Sequence, residues 1–411
     1  MKSFTELPDL ANERVGGVVL AANDEFFAPK ENLNKAGPPV WLDDEYTERG
    51  KWMDGWETRR RREPGNDWAL VRLGLAGDVR GVVVDTSNFR GNYPESCSID
   101  GCAAPDGVSL EQLTDPDAEG AVAWRELLPQ TMLDGNARNL FPVTPTGRIT
   151  HMRLNIYPDG GIARLRVHGY VTPDWDRLDL DGAPIDLAAF EFGGLVLACN
   201  DESLGSASQL LMPGAARNMR DGWQTRRRRG QGHDWAILQL GAPGAIDWAV
   251  IDTSHFIGNA PSACTLEWCV AEVPDPDVDY FDSDACQWRE LLPRTDLTAN
   301  RENIFEDELR PMKAATHVRL GIYPDGGVAR ARLFGTTERA RSFKRGLSAL
   351  NQLDESLLRE RLDADAGASD WSDAVIAGRP FGDLASLFQT VGQASGDERI
   401  RHQLRELLLE L

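Results

Sequence analysis

Asp85 and Asp252 each close an apolar run, Val82-Val-Val-Asp-Thr-Ser87 and Ala249-Val-Ile-Asp-Thr-Ser254, and each opens a turn. A carboxylate at the end of a rigid strand suits acid–base work, although Asp-Thr-Ser is also an ordinary Asx-turn sequence. His255 follows in Asp252-Thr-Ser-His-Phe-Ile-Gly-Asn259, and imidazole titrates near neutral pH. Glu57 and Glu290 add two carboxylates, the second inside Trp288-Arg-Glu-Leu-Leu-Pro293, with Glu126 as its twin. A second group is basic: Arg153, Arg164 and Arg166, then Arg319, Arg330 and Arg332. The planar guanidinium fork fits a carboxylate, though surface Asp and Glu would serve it equally well. There is no G-x-S-x-G elbow and no H-E-x-x-H pair. His233, His255 and His317 fall in different blocks without ligand-like spacing, so no cofactor or metal set is evident. A carboxylate-bound divalent ion stays open.

These residues come in pairs because the chain is a tandem duplication. Asp54-Gly-Trp-Glu-Thr-Arg-Arg-Arg-Arg62 returns as Asp221-Gly-Trp-Gln-Thr-Arg-Arg-Arg-Arg229. Trp68 and Trp235, Asp85 and Asp252, and Cys97/Cys102 and Cys264/Cys269 keep the same spacing of 167 residues. Differences between twins are therefore informative. His255 stands where the first copy has Asn88, and Glu57 where the second has Gln224. The first difference points to the second copy as catalytic and the other to the first; a site between domains or subunits would reconcile them.

The elements that must position these groups read as short strands ended by turn residues. Asp67-Trp-Ala-Leu-Val-Arg-Leu-Gly74 is one, matched by Asp234–Gly241. In Thr150-His-Met-Arg-Leu-Asn-Ile-Tyr157, Met152, Leu154 and Ile156 share a face opposite His151, Arg153, Asn155 and Tyr157. Pro158-Asp-Gly-Gly161 and the run through His168 complete an expected β-hairpin with one apolar and one basic face, repeated around Pro324-Asp-Gly-Gly327. The fold class expected is mainly β: two tandem jelly-roll β-sandwich domains, residues 1–171 and 172–340, then a helical tail, 341–411. Helical spacing of Leu347, Leu350 and Leu353, then Leu357, Leu358 and Leu362, marks that tail.

Composition narrows the partners. The 411 residues hold 44 basic and 65 acidic side chains, a net charge of −21, which repels nucleic acid and anionic membranes. The Arg tetrads are expected to pair with surplus carboxylates. No run is long and apolar enough for a membrane span, and Met1–Pro8 lacks a signal-type core, so a cytoplasmic protein is expected. Six cysteines without a secretion signal read as buried thiols.

Gly-Trp-Glu-Thr-Arg-Arg-Arg-Arg, Asp-Thr-Ser-His-Phe-x-Gly-Asn-x-Pro, Trp-Arg-Glu-Leu-Leu-Pro and Ile-Tyr-Pro-Asp-Gly-Gly-x-x-Arg resemble the allantoicase (allantoate amidinohydrolase) family, over about residues 10–340. The resemblance implies galactose-binding-like sandwiches, a homo-oligomer, and hydrolysis of allantoate to ureidoglycolate and urea in purine degradation. Losing urea from the central carbon needs an acid for the leaving nitrogen, a base for water and donors for the carboxylate. His255, Asp252, Asp85, Glu57 and Glu290 are the acid–base candidates. Arg153, Arg319, Arg164, Arg330, Asn92 and Asn259 are the substrate-binding candidates. Alternatives for the same fold are a non-enzymatic module binding a sugar or small polar ligand, or a relative hydrolysing ureidoglycolate. The tail, Leu350-Asn…Leu353-Asp-Glu…Trp371…Gly378-Arg-Pro-Phe381, is similar to the opening of the 2-oxo-4-hydroxy-4-carboxy-5-ureidoimidazoline decarboxylase family. That family's His-Pro segment is absent, since Gln403 follows His402.

Overall fold

The computed structural model describes residues 3–272, 281–363, 370–395 and 397–411. Two compact units emerge, one reaching Pro173 and the other running from Asp174 through the tail. In the first, the elements are β1 (Val18–Ala22), β2 (Tyr46–Thr47), β3 (Gly50–Lys51), β4 (Trp56–Glu57), β5 (Asp67–Asp85), β6 (Ser96–Cys102), α1 (Leu110–Thr114), β7 (Arg125–Met132), β8 (Arg138–Pro142), β9 (Arg148–Tyr157), β10 (Gly161–Ile162) and β11 (Arg164–Val171). The second contains α2 (Trp175–Asp181), β12 (Ile185–Asp186), β13 (Leu195–Cys199), β14 (Trp223–Gln224), β15 (Asp234–Asp252), β16 (Ala263–Cys269), β17 (Arg289–Asp296), β18 (Glu302–Phe305), β19 (Ala315–Tyr323), β20 (Gly327–Val328) and β21 (Arg330–Thr337). Helices α3 (Glu338–Gln352), α4 (Glu355–Asp363), α5 (Asp370–Gly378), α6 (Leu384–Ala394) and α7 (Glu398–Glu410) follow.

Each repeat is an antiparallel β-sandwich built around one long strand. The first part of β5 pairs with β1 and β9, and its last part pairs with β8 and β11. One strand thus serves both layers, bending where its register slips between Arg72 and Gly77. Glycine is required at the bend. A Cβ on Gly74 would lie 2.3 Å from the Val15 carbonyl oxygen, and one on its twin Gly241 only 1.6 Å from that of Phe192. The remaining strands of the larger layer run β5-β9-β6-β7, and in the second repeat β15-β19-β16-β17. Strand alternation fills the core: Met152, Leu154 and Ile156 are fully buried, as are Val318, Leu320 and Ile322.

The expected hairpin does not form. β9 and β11 never pair with each other; they lie against different stretches of β5, and β10 pairs with β4. The turn at Pro158–Gly160 carries the chain from one layer to the other. The physical reason is the length of β5: its two halves offer separate edges, so two apolar runs joined by a tight turn find different partners. The arginines assigned to one basic face are therefore split between two layers.

Other expectations fare as follows. In the Arg tetrads, Arg59 pairs with Asp24 and Arg61 with Asp67, at 2.7 Å each, while Arg226 and Arg228 repeat this with Asp201 and Asp234. Trp56 and Trp223 are fully buried, each donating its indole N–H to a carbonyl, of Asp24 or Asp201, at 2.8 Å. Cys97, Cys102, Cys264 and Cys269 are buried free thiols, as expected, whereas Cys199 and Cys286, which have no twin in the other repeat, are only partly buried. Among the described residues no helix is long and apolar enough to cross a membrane.

The tail continues directly from β21. Thr337 caps α3 through the Ala340 amide, and Arg339 and Arg405 reach Asp176 of α2 at 2.8 and 3.1 Å. Phe343, Leu350, Leu358, Val375, Leu387 and Leu404 form its own buried core, against which Leu180 of α2 packs. Gly346 permits the α3–α7 crossing, since a Cβ there would meet the Leu408 carbonyl oxygen at 1.9 Å.

Candidate active site

On β19, even-numbered residues point into the core, so His317, Arg319, Gly321 and Tyr323 share the outer face. Pairing sets Arg319 beside Glu267 and Gly321 beside Thr265 on β16, with Glu267 opposite Glu290 on β17. On the other flank Trp235 of β15 is opposite Gly321, and His233 immediately precedes that strand. His233, Trp235, Thr265, Glu267, Glu290, Leu292, Arg319 and Tyr323 line a cleft of about 370 Å³ on the surface of the second sandwich.

Its charges are arranged around Arg319. Glu267 Oε2 accepts from Arg319 Nε at 2.7 Å and lies 2.6 Å from Nη2. The guanidinium sits over the Trp288 ring, 4.7 Å from its centroid. With the carboxylate taking two N–H groups, three donors are left for a ligand. His233 stacks on Tyr323 with ring centroids 4.4 Å apart, and Arg294 covers that tyrosine at 4.3 Å. Burial first, then the Arg319 charge, pushes the His233 imidazole below its ordinary range, with Glu267 opposing. Glu290 lies at the outer wall, half-exposed and 3.4 Å from Arg310.

The same place in the first repeat is closed. Arg153 contacts Asp100 through Nε and Nη2 at 3.2 and 3.0 Å, under the Trp124 ring. Asn155, the twin of Gly321, donates from Nδ2 to Asp100 Oδ2 at 3.0 Å and to Ser98 Oγ at 3.2 Å. Ser98 in turn lies 3.0 Å from the Tyr157 hydroxyl. Asn155 is buried, and Asn66 replaces His233.

Of the candidate residues read from sequence, Arg319 and Glu290 come together in the cleft. Arg153 holds the equivalent place in the first repeat. The others lie elsewhere. Arg164 is 2% exposed and all its donors are used, by the Gly37, Pro38, Asp54 and Ala163 carbonyls and by Asp54 Oδ2 at 2.6 Å. Arg330 is as deeply buried and reaches the Gln209, Gly214, Asp221 and Ala329 carbonyls. Asp85 and Asp252 are buried, and each accepts the amide of the residue two ahead, Ser87 or Ser254, at 2.8 Å. Glu57 and Asn92 meet at 2.7 Å in the first repeat, where burial pushes the Glu57 carboxyl up against the opposing effect of that bond. The Asn259 carbonyl accepts the Gly327 amide at 2.9 Å.

His255 occupies a left-handed turn position, φ 71°, as does its twin Asn88 at φ 72°. Its ring Nε2 lies 2.9 Å from the Ala216 carbonyl oxygen, and its amide donates to Asn300. Asparagine tolerates this backbone region better than most residues. His255→Asn is therefore expected to keep kcat within about threefold and the melting temperature within a few degrees, read by urea release and a thermal melt. A fall of kcat on the order of 10²-fold would return His255 to acid–base work.

His233, Thr265, Glu267 and Tyr323 of the cleft, and Gly321 beneath them, were not among the site candidates read from sequence. Four of them differ from their twins Asn66, Ser98, Asp100 and Asn155, which was the available signal. Among the described residues no group of three or more His, Cys, Asp or Glu stands close enough together to hold a metal ion.

Fold and site together define a tandem β-sandwich protein with an arginine-centred cleft suited to a small carboxylate. The allantoicase repeat model matches residues 8–172 and 185–338, and the chain belongs to the allantoicase family. It is 47% identical to a probable allantoicase of Pseudomonas paraeruginosa, over 81% of this chain and 96% of that one. A probable allantoicase of Photobacterium profundum is 44% identical over 81% and 97%. The crystal structure of allantoicase from Saccharomyces cerevisiae superposes with a TM-score of 0.65 at 33% identity, covering 80% of this chain and 92% of that one.

Proposed function

We propose that the chain hydrolyses allantoate to ureidoglycolate and urea, and that the reaction takes place in the cleft around Arg319. Family membership supports the reaction. The observation that carries the location is the Arg319–Glu267 pair, a guanidinium fixed by one carboxylate with donors left for another. Arg319 receives the allantoate carboxylate. The two ureido groups then lie among the polar side chains of the same wall. Expulsion of urea requires a proton on the leaving nitrogen, and water adding to the carbon left behind must lose one. Of the titratable groups lining the space, Glu267 is held by Arg319, and Glu290 and His233 are assigned the proton transfers: whichever of the two is protonated gives its proton to the leaving nitrogen, and the other takes one from water.

The same reading covers the remaining parts. Repeats at 1–171 and 172–340 carry the fold, and the 341–411 segment serves as a packing element of decarboxylase-like ancestry. A cytoplasmic homo-oligomer is proposed as the working form; the exposed Val40, Trp41, Leu42 and Tyr46 of the first repeat give it apolar surface to bury. The test is direct: purified protein is mixed with allantoate and urea is measured, with divalent metals supplied in parallel. Urea release above the blank is expected. None from folded protein under either condition would overturn the assignment.

A further inference from the structure

The twin positions Asn155 and Gly321 differ in one feature, a side-chain carboxamide. In the first repeat that carboxamide is held in a defined way: its NH₂ group donates to the Ser98 hydroxyl and to the Asp100 carboxylate, beside Arg153. In the second repeat Thr265 and Glu267 replace Ser98 and Asp100 at the same register, so a hydroxyl and a carboxylate are still presented, while the carboxamide is gone. With no side chain at Gly321, Thr265 and His233 close in over it and turn their polar atoms to the cleft. A Cβ on Gly321 would point to within 2.5 Å of Thr265 Oγ1 and 3.3 Å of His233 Nε2.

A ureido group ends in the same –CO–NH₂ unit as asparagine. We propose that the part of the cleft bordered by Thr265, Glu267 and His233 is the subsite for a terminal carbamoyl group of the substrate, and that Asn155 supplies the equivalent carboxamide covalently in the first repeat. The substrate NH₂ donates to Thr265 Oγ1 and to Glu267, as Asn155 donates to Ser98 and Asp100. Its carboxylate meets Arg319, one strand position away on the same face. His233, present only in the second repeat, borders the subsite through Nε2. Binding is therefore confined to the second repeat, because the first already holds its own carboxamide. A site that hydrogen-bonds a polar group discriminates strongly against ligands that lack it, which makes Gly321 a specificity determinant. The inference rests on the assignment of the reaction to this cleft.

The probes are N-carbamoylglycine, which carries one carboxylate and one ureido group, and glycolate, which carries a carboxylate and a hydroxyl but no ureido group. Binding to the full-length protein is measured by calorimetry and by inhibition of urea release. Gly321→Asn is expected to weaken N-carbamoylglycine on the order of 30-fold or more and to abolish turnover, while changing glycolate binding less than about threefold. If Gly321→Asn does not fold, the variant combining it with Thr265→Ser and His233→Asn copies the trio Asn155, Ser98 and Asn66, which already packs in the first repeat. Undiminished N-carbamoylglycine binding in either folded variant, together with its loss in Arg319→Ala, would overturn the subsite and leave the cleft standing. Unchanged binding in Arg319→Ala would overturn the cleft and the subsite with it.

Discussion

Arg319→Ala is expected to raise the KM for allantoate by about 10–100-fold while leaving kcat within about threefold. A hydrogen bond to a charged group contributes about 1.5–3 kcal/mol, and about 1.4 kcal/mol is a factor of ten. The substrate carboxylate does not change charge during the reaction, so its anchor binds ground and transition states about equally; such a loss appears in KM. The variant should fold normally. Glu267 is 34% exposed in its side chain and can turn to water once its partner is gone. Arg153→Ala is the matched control. That residue keeps its pair with Asp100 under a carboxamide already in place, so KM should stay within about twofold. Steady-state kinetics on both variants decides the matter. Equal effects would mean that both repeats bind substrate; an unchanged KM for Arg319→Ala would remove the cleft from the reaction.

The second large effect is on stability. Arg164→Ala is expected to cost about 3–5 kcal/mol of folding free energy, the usual result of deleting one member of a buried ion pair. Arg164 ties the Gly37–Pro38 loop to the Asp54 carboxylate, which is itself 7% exposed. Truncation leaves that carboxylate with the partly exposed Lys35, at 3.3 Å, as its cationic partner. The sign with pH follows. Burial works against ionisation of Asp54, but its bonds to Arg164 and the Val40 amide outweigh this and hold its carboxyl below the ordinary range. A depressed folded pKa adds stability above the unfolded value, and that stability is lost as pH falls through the folded value. In Arg164→Ala burial dominates, so acid unfolding should begin at a higher pH. Denaturant melts across the acid range test this. A variant with wild-type stability and a raised KM would instead make Arg164 a substrate ligand.

The contrast between Arg319 and Arg164 shows what the amino-acid sequence determines here. The duplication, the strand character of each block, the helical tail and the family were all legible, because they depend on local periodicity and on long motifs that recur in one order. Arg319 and Glu290, which line the cleft, were legible as candidates for the same reason. The partition of the arginines was not. Alternation along Thr150–Tyr157 and Arg164–His168 puts Arg153 and Arg164 on comparable faces, and a tight turn between two apolar runs reads as a hairpin. The tertiary structure sends the two runs to separate halves of β5, so Arg153 and Arg319 face outward while Arg164 and Arg330 are buried under loops. Periodicity reports which residues share a side of one strand; it carries no information on which strand lies next to it. The cleft depended on that missing information. Asn66/His233, Ser98/Thr265, Asp100/Glu267 and Asn155/Gly321 are ordinary substitutions scattered over three blocks of sequence. Only the pairing of β15, β16 and β19 brings the second-repeat set to one place, beside Arg319.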